Sequence, residues 1–208
     1  MKTFVYVDAF NLYYGAVKGT PYKWLDLSAL CSVMLHSHHQ VECIKYFTAK
    51  VSPKPYDQTQ HLRQEIFIRA LETLPMMHVY YGHFLCHVVK MPLANPVTGL
   101  RSVVEVIRTD EKGSDVNLAT HLLVDGFRNA YECAVLITGD SDQLTPVQVV
   151  KNDLKKPVGV LNPQKHPCRV LMREATFYKQ IRTGALTRAQ FPATLKDAKG
   201  TFTKPATW

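Results

Sequence analysis

The chain has 208 residues, 46% hydrophobic and 20% charged, which is the balance of a globular domain with room for one full core. No apolar run approaches a membrane span, and the N-terminal "MKTFVYVDAF" reaches Asp8 too early for a signal peptide, so neither a membrane partner nor a secretory route is expected. Five scattered cysteines (Cys31, Cys43, Cys86, Cys133, Cys168) read as small core residues of a reducing, cytoplasmic protein and argue against a disulfide framework.

The net charge of +8 is unevenly placed. From Lys151 onward 12 Lys or Arg stand against three acids, a balance of +9, whereas the first 150 residues hold 13 basic and 14 acidic residues. A basic last third beside a near-neutral body is either a solvated surface or the footprint of a polyanionic partner such as a phosphate backbone.

In chain order, "TFVYVD" is a short apolar strand ending on Asp8. "DLSALCSVMLHSHH" carries a helical stripe that Asp26 or Ser28 caps, "VECIKYFTA" is strand-like, and "PYDQTQHLRQEIFIRALETL" returns to helical spacing at Leu62, Ile66, Arg69 and Ala70. "MHVYYGHF" and "RSVVEVIRT" read as strands, and "VSPKPYDQ" and "NPVTG" as Pro-containing loops. A helix "SDVNLATHLLVDGFRNA", capped by Ser114, precedes the strand "AVLITG". "QLTPVQVVKND" is helical with Pro146 confined to its first turn, "KPVGVLNP" is a strand, and "CRVLMREATFYKQI" is a last helix. Strands alternating with helices predict an α/β fold built on a mainly parallel sheet. Residues 1–182 form this domain, and 183–208 lose periodicity and read as a flexible basic tail.

In such a sheet ligands bind at the carboxyl ends of the strands. Asp8 closes one strand there, Asp140 and Asp142 follow "VLITG", and Asp115 opens a helix, where the macrodipole favours a carboxylate. Singly these are turn or helix-start residues. Together they would repel one another unless a hard cation neutralises them, and an all-oxygen donor set points to Mg²⁺ or Mn²⁺. Asn11, three residues past Asp8, either orients Asp8, contacts substrate or caps a helix. The "HSHH" and "HFLCH" stretches match no ordinary paired zinc-ligand spacing. Tyr13, Tyr14, Tyr22 and Trp24 either pack or stack on bases. A haloacid-dehalogenase phosphatase needs a second Asp two residues after the first, where Phe10 stands.

"FVYVDAFNLYY", "EKGSDVNLATHLL" and "VLITGDSDQLTPVQVV", in this order, resemble the NYN domain of the PIN-like nucleases, including the LabA/DUF88 group, over roughly Thr3 to Arg182. The resemblance implies a PIN-like fold of three layers with a central, mainly parallel sheet flanked by helices, and metal-assisted, endonucleolytic hydrolysis of RNA, with DNA as an alternative substrate class. On the family pattern the acids match Asp8, Asp115, Asp140 and Asp142, the asparagine matches Asn11, and Lys112 and Thr138 match supporting or substrate-binding positions. Asp8, Asp140 and Asp142 are the expected direct or water-mediated ligands, with Asp115 completing the shell or positioning the attacking water. Two positions depart from the pattern: Thr120-His121 where a second helix acid is common, and Ala175-Thr176 where an Ala-Asp pair is common. The alternative is a non-catalytic nucleic-acid-binding or protein-interaction module on the same fold.

Overall fold

The structure, a computed structural model, describes residues 1–208 apart from Pro55, Val97, Thr98, Leu100 and Arg101. Parts of the expected loops "VSPKPYDQ" and "NPVTG", and the first residue of "RSVVEVIRT", therefore lie outside the described residues.

Strand β1 (Lys2–Asp8) leads into a single turn α1 (Ala9–Leu12) and a wider π-type turn over Tyr13–Val17. Helix α2 (Leu27–Met34), strand β2 (Gln40–Ala49), helix α3 (Gln60–Leu71) and strands β3 (Met77–Pro92) and β4 (Val103–Lys112) follow. The second half holds α4 (Ser114–Phe127), β5 (Cys133–Ile137), α5 (Leu144–Gln148), β6 (Val158–Asn162), α6 (Arg169–Glu174) and β7 (Phe177–Gln180). Helix α7 (Thr183–Arg188) and the hairpin β8 (Thr194–Asp197) and β9 (Gly200–Thr203) end the chain.

The main sheet has seven strands in the order β4-β3-β2-β1-β5-β6-β7. All its pairings are parallel except β3 with β4, which run antiparallel. The chain builds one wing outward from β1 and then returns to build the other. The switch point thus falls between β1 and β5, and a crevice opens there at the carboxyl ends of both strands.

Strands β5 and β6 are buried along their whole length, so both faces of the sheet carry a core. On one face Val5, Val7, Ile44 and Tyr46 pack with Trp24, Leu27, Leu30 and Leu71. On the other Tyr6, Phe47, Leu136 and Val160 pack with Leu118, Leu122, Val147 and Leu171. Beneath α4 the second core holds one buried ion pair: Lys45 Nζ lies 2.6 Å from Asp125 Oδ2, which also accepts from the Tyr6 hydroxyl at 2.7 Å. The shared partner leaves neither charge bare and pins α4 to β1 and β2 in one register.

Several local expectations change. Asp26, not Ser28, caps α2, accepting from Ala29 N at 2.9 Å. Ser114 is the first residue of α4 and not its cap; Gly113 stands before it at φ 95°, and Glu111 accepts from Ser114 N and Oγ. That positive φ suits glycine, and it turns the chain sharply from β4 into α4. The expected last helix stops at Glu174, because the Thr176 N–H already bonds Val158 O and the next residue starts β7 along β6. Cys86 is exposed, whereas Cys31, Cys43 and Cys133 are buried.

Residues 183–208 are not a flexible tail. Ala185, Leu186, Ala189, Phe191 and Phe202 join the first core, the Trp24 indole donates to Pro192 O at 2.8 Å, and Arg69 pairs with Asp197 through two 2.7 Å bonds. The segment reads as polar because its few apolar residues are widely spaced, yet they join the first core, with Phe191 and Trp208 set edge-on against the Trp24 ring. Among the described residues, no helix is long and apolar enough to cross a membrane.

Candidate active site

The site grows out of two strand ends at the switch point. Asp8 leaves β1 and caps α1: its Oδ1 accepts from Asn11 N at 2.9 Å. Its Oδ2 accepts from the Thr138 hydroxyl at 3.1 Å, and the same hydroxyl receives the Asp140 N–H at 3.1 Å. Thr138, fully buried, thereby locks the Asp140 backbone to the Asp8 carboxylate. The Asn11 side chain adds a second tie, its Oδ1 accepting from Gly139 N at 2.9 Å and from Gln164 Nε2 at 2.8 Å. Asn11 is thus a brace between the loops after β1, β5 and β6, and Asp8 takes the capping role.

Carboxylate oxygens of Asp8, Asp115 and Asp140 lie within 4.8 Å of one another. Asp115 arrives from the first turn of α4, whose start is fixed by Gly113 and Glu111. Asp8 is buried and Asp115 is open to solvent. Asp142 stands outside this group. It sits two residues beyond Asp140 in a short helical turn, a spacing at which side chains diverge, and its N–H donates to Asp140 Oδ1 at 3.0 Å. Its charge still reaches Asp115, whose affinity for a proton it helps to raise.

Lys112 is not gathered in either. It lies exposed at the end of β4 on the strand face of Asp110, whose carboxyl is held low first by Arg108, with Lys112 adding to the effect. Of the two departures, His121 stacks beside Tyr80 with centroids 4.1 Å apart and sits 3.3 Å from Lys45 Nζ, whereas Thr176 serves the β6–β7 pairing.

Burial and mutual repulsion raise the proton affinity of two of these acids. Burial pushes the Asp8 carboxyl up to about 6, with the fields of Asp115 and Asp140 adding to it against the hydrogen bonds from Asn11 and Thr138. Asp115 is likewise raised, by desolvation first and then by Asp140, Glu111 and Asp142. Sequence reasoning missed Glu111, which accepts from Ser114 three residues on, and Gln164, whose part depends on loops meeting in space. It also missed Gln143, buried beside the Asp140 turn with its Oε1 lacking a partner among the described residues.

A pH prediction follows with a definite sign. The Asp8 carboxyl binds its proton more tightly folded than unfolded, so its contribution favours the fold below pH 4 and is lost as pH rises through about 6. Metal-free protein should show declining urea stability across that window. Saturating Mn²⁺ should flatten the decline, and a decline equally steep with and without Mn²⁺ would count against a cation between these acids.

Gly139 shows how tightly the loop is built. A Cβ there would press on Asn162 Oδ1 and come within 2.6 Å of Gln164 Cγ. Asn162 cannot retreat, because it is fully buried and its amide bonds Gln164 O, His166 O and Gln180 Oε1. Gly139→Ala should destabilise the fold by roughly 1–3 kcal/mol and displace Asp140; denaturant melts matching the wild type would refute the close packing described.

Comparison with known proteins places these features. A protein named 6-hydroxy-3-succinoylpyridine 3-monooxygenase HspA, from Pseudomonas putida (strain DSM 28022 / S16), is 27% identical over 237 residues, covering 100% of this chain and 75% of that protein. A crystal structure of a protein of unknown function, VPA0982 from Vibrio parahaemolyticus RIMD 2210633, superposes with a TM-score of 0.56 at 18% identity. That match covers 88% of this chain and 93% of the other, and it supports the α/β fold alone. The family model of the NYN domain matches residues 2–181, a span that contains every carboxylate and brace of the site. With nearly the whole chain inside that match, and its nuclease-like sheet and strand-end acids in place, the protein belongs to the NYN domain family.

Proposed function

We propose that the protein is a divalent-metal-dependent ribonuclease that hydrolyses phosphodiester bonds within RNA. The observation that carries this reading is the convergence of Asp8, Asp115 and Asp140 at the switch point of the sheet. The donor set fits Mg²⁺ or Mn²⁺: it is all oxygen, and it concentrates negative charge where burial already penalises it. A cation held there supplies neutralising charge for phosphoryl oxygens and makes a bound water more acidic.

The chain's own residues do the rest. Thr138 and Asn11 hold the Asp8 and Asp140 loops in one geometry before substrate arrives. Asp115, the most open of the three, is placed to orient a water for attack. Asp142 acts from the next shell, through water or substrate. Lys165, in the loop after β6, and Arg169, at the start of α6, lie at the edge from which RNA must approach, since α6 packs on the Ser141–Gln143 turn. Other basic residues of the last third are already engaged: Lys151 with Glu174, Lys156 with Tyr131 O and Lys179 with Met34 O. RNA affinity should therefore be salt-dependent through fewer phosphates than the +9 balance implies.

The test is cleavage of end-labelled single-stranded RNA, double-stranded RNA and DNA with Mg²⁺, Mn²⁺ or EDTA. Internal cuts in RNA that need metal support the reading. Cleavage of DNA alone moves the assignment to a DNase, and binding without cleavage leaves the non-catalytic module.

A second reading is favoured by one observation. The relative that spans the whole chain is named for a substituted pyridine, and a cavity of about 450 Å³ adjoins the Asp8 loop. On that reading the cavity receives a small heteroaromatic acid, and no RNA substrate in the panel is cut.

A further inference from the structure

The cavity has no part in the carboxylate chemistry, yet it begins where that site ends. Asp8 shares a strand face with Tyr6, toward α4, while Ala9 and Phe10 turn over the rim of the sheet and line the cavity on the opposite side. Phe10, Tyr13, Tyr14, Phe67 and Trp208 supply aromatic walls to a space of about 450 Å³. That volume admits one bicyclic ring with a sugar, not a folded segment.

Two polar groups are left open on its wall. Tyr46 is 7% exposed and lines the cavity, yet its hydroxyl has no hydrogen-bond partner among the described residues. Lys23 lines it as well and makes no ion pair among them, whereas Arg63, the other cation of the wall, is held by Asp57. Aromatic faces, one hydroxyl and one uncommitted ammonium match a flat heteroaromatic ring carrying an anionic group.

We infer that this cavity is a nucleobase pocket, which takes an unpaired base of the RNA strand and sets Lys23 against that nucleotide's phosphate. The inference rests on the ribonuclease reading for its substrate. A strand crossing the rim at Ala9–Phe10 has its scissile phosphate on the carboxylates and a neighbouring base in the cavity. Base stacking tolerates any of the four bases, so the pocket selects single-stranded over paired RNA more than it selects sequence.

The test separates the pocket from the chemistry by working in EDTA, where no cleavage occurs. Calorimetric titration of the full chain with AMP, CMP, adenosine and pyridine-3-carboxylate reads the pocket alone. AMP and CMP should bind, and Asp140→Asn should bind AMP as the wild type does. Trp208→Ala should weaken AMP by about tenfold. Lys23→Gln should weaken AMP by several-fold and leave adenosine unchanged, a pattern that a folding defect would not give. Three outcomes overturn the pocket: no nucleotide binding, equal affinity in both variants, or binding of pyridine-3-carboxylate without nucleotides. Failure of the nuclease reading looks different, as nucleotide binding that depends on Trp208 and Lys23 in a protein that cuts nothing.

Discussion

Asp140→Asn should reduce turnover of RNA by at least about a thousandfold while leaving the fold intact. The change keeps the side chain's size and its ability to accept the Asp142 N–H, which lies 3.0 Å from Oδ1. It removes one of three carboxylates that share a space under 4.8 Å across. In metal-free protein that removal relieves repulsion on Asp8 and Asp115, so the variant should melt at or above the wild-type temperature. Added Mn²⁺ should reverse the order, because only the wild type gains binding energy by mass action. Lost activity together with retained metal-free stability is the combination to look for. Turnover within a few-fold of wild type would remove Asp140 from the chemistry.

The second large effect concerns the segment after Arg182. Truncation there should leave a chain that unfolds at working temperature, not one that merely binds RNA less well. It removes Leu186, Phe191 and Phe202 from the core and strips the cover from Trp24, which is 1% exposed in the intact protein. The Arg69–Asp197 pair and the Trp24 bond to Pro192 O go with it. Losing one buried aromatic typically costs about 3–5 kcal/mol, comparable with half the stability of a domain this size. Phe191→Ala in the full chain provides the graded test: its urea midpoint should fall by an amount equivalent to about 3 kcal/mol, with Trp24 emission shifting to the red. A truncated protein that melts like the parent would mean these residues contribute no core.

These two cases mark where sequence patterns inform and where they fail. Asp8 and Asp140 were legible because Asp8 ends an uninterrupted apolar run and Asp140 follows another within three residues, and in a parallel sheet such runs end on one edge. Asp115 was legible as a helix-start acid. Asp142 does not join the three because a spacing of two looks adjacent in sequence but diverges in a helical turn. Strand β7 was hidden because "ATFYKQI" extends a helical stripe, and only pairing with β6 decides its state. The C-terminal segment misled for a similar reason: Phe191 and Phe202 are isolated in polar sequence, and their value appears only where Phe191 meets Trp24 and Phe202 lies under Arg69. Gln164 had no local signal, since it acts by bracing a loop distant in sequence.

The proposed reaction needs Asp8, Asp115 and Asp140 to hold a divalent cation. Anomalous scattering from crystals grown with Mn²⁺ tests it most directly, because it locates the metal without relying on activity. A strong peak is expected among these three carboxylates, absent from crystals of Asp140→Asn grown alongside. A protein that cleaves RNA in Mn²⁺ with its anomalous peak elsewhere, or with none at these carboxylates, would contradict it.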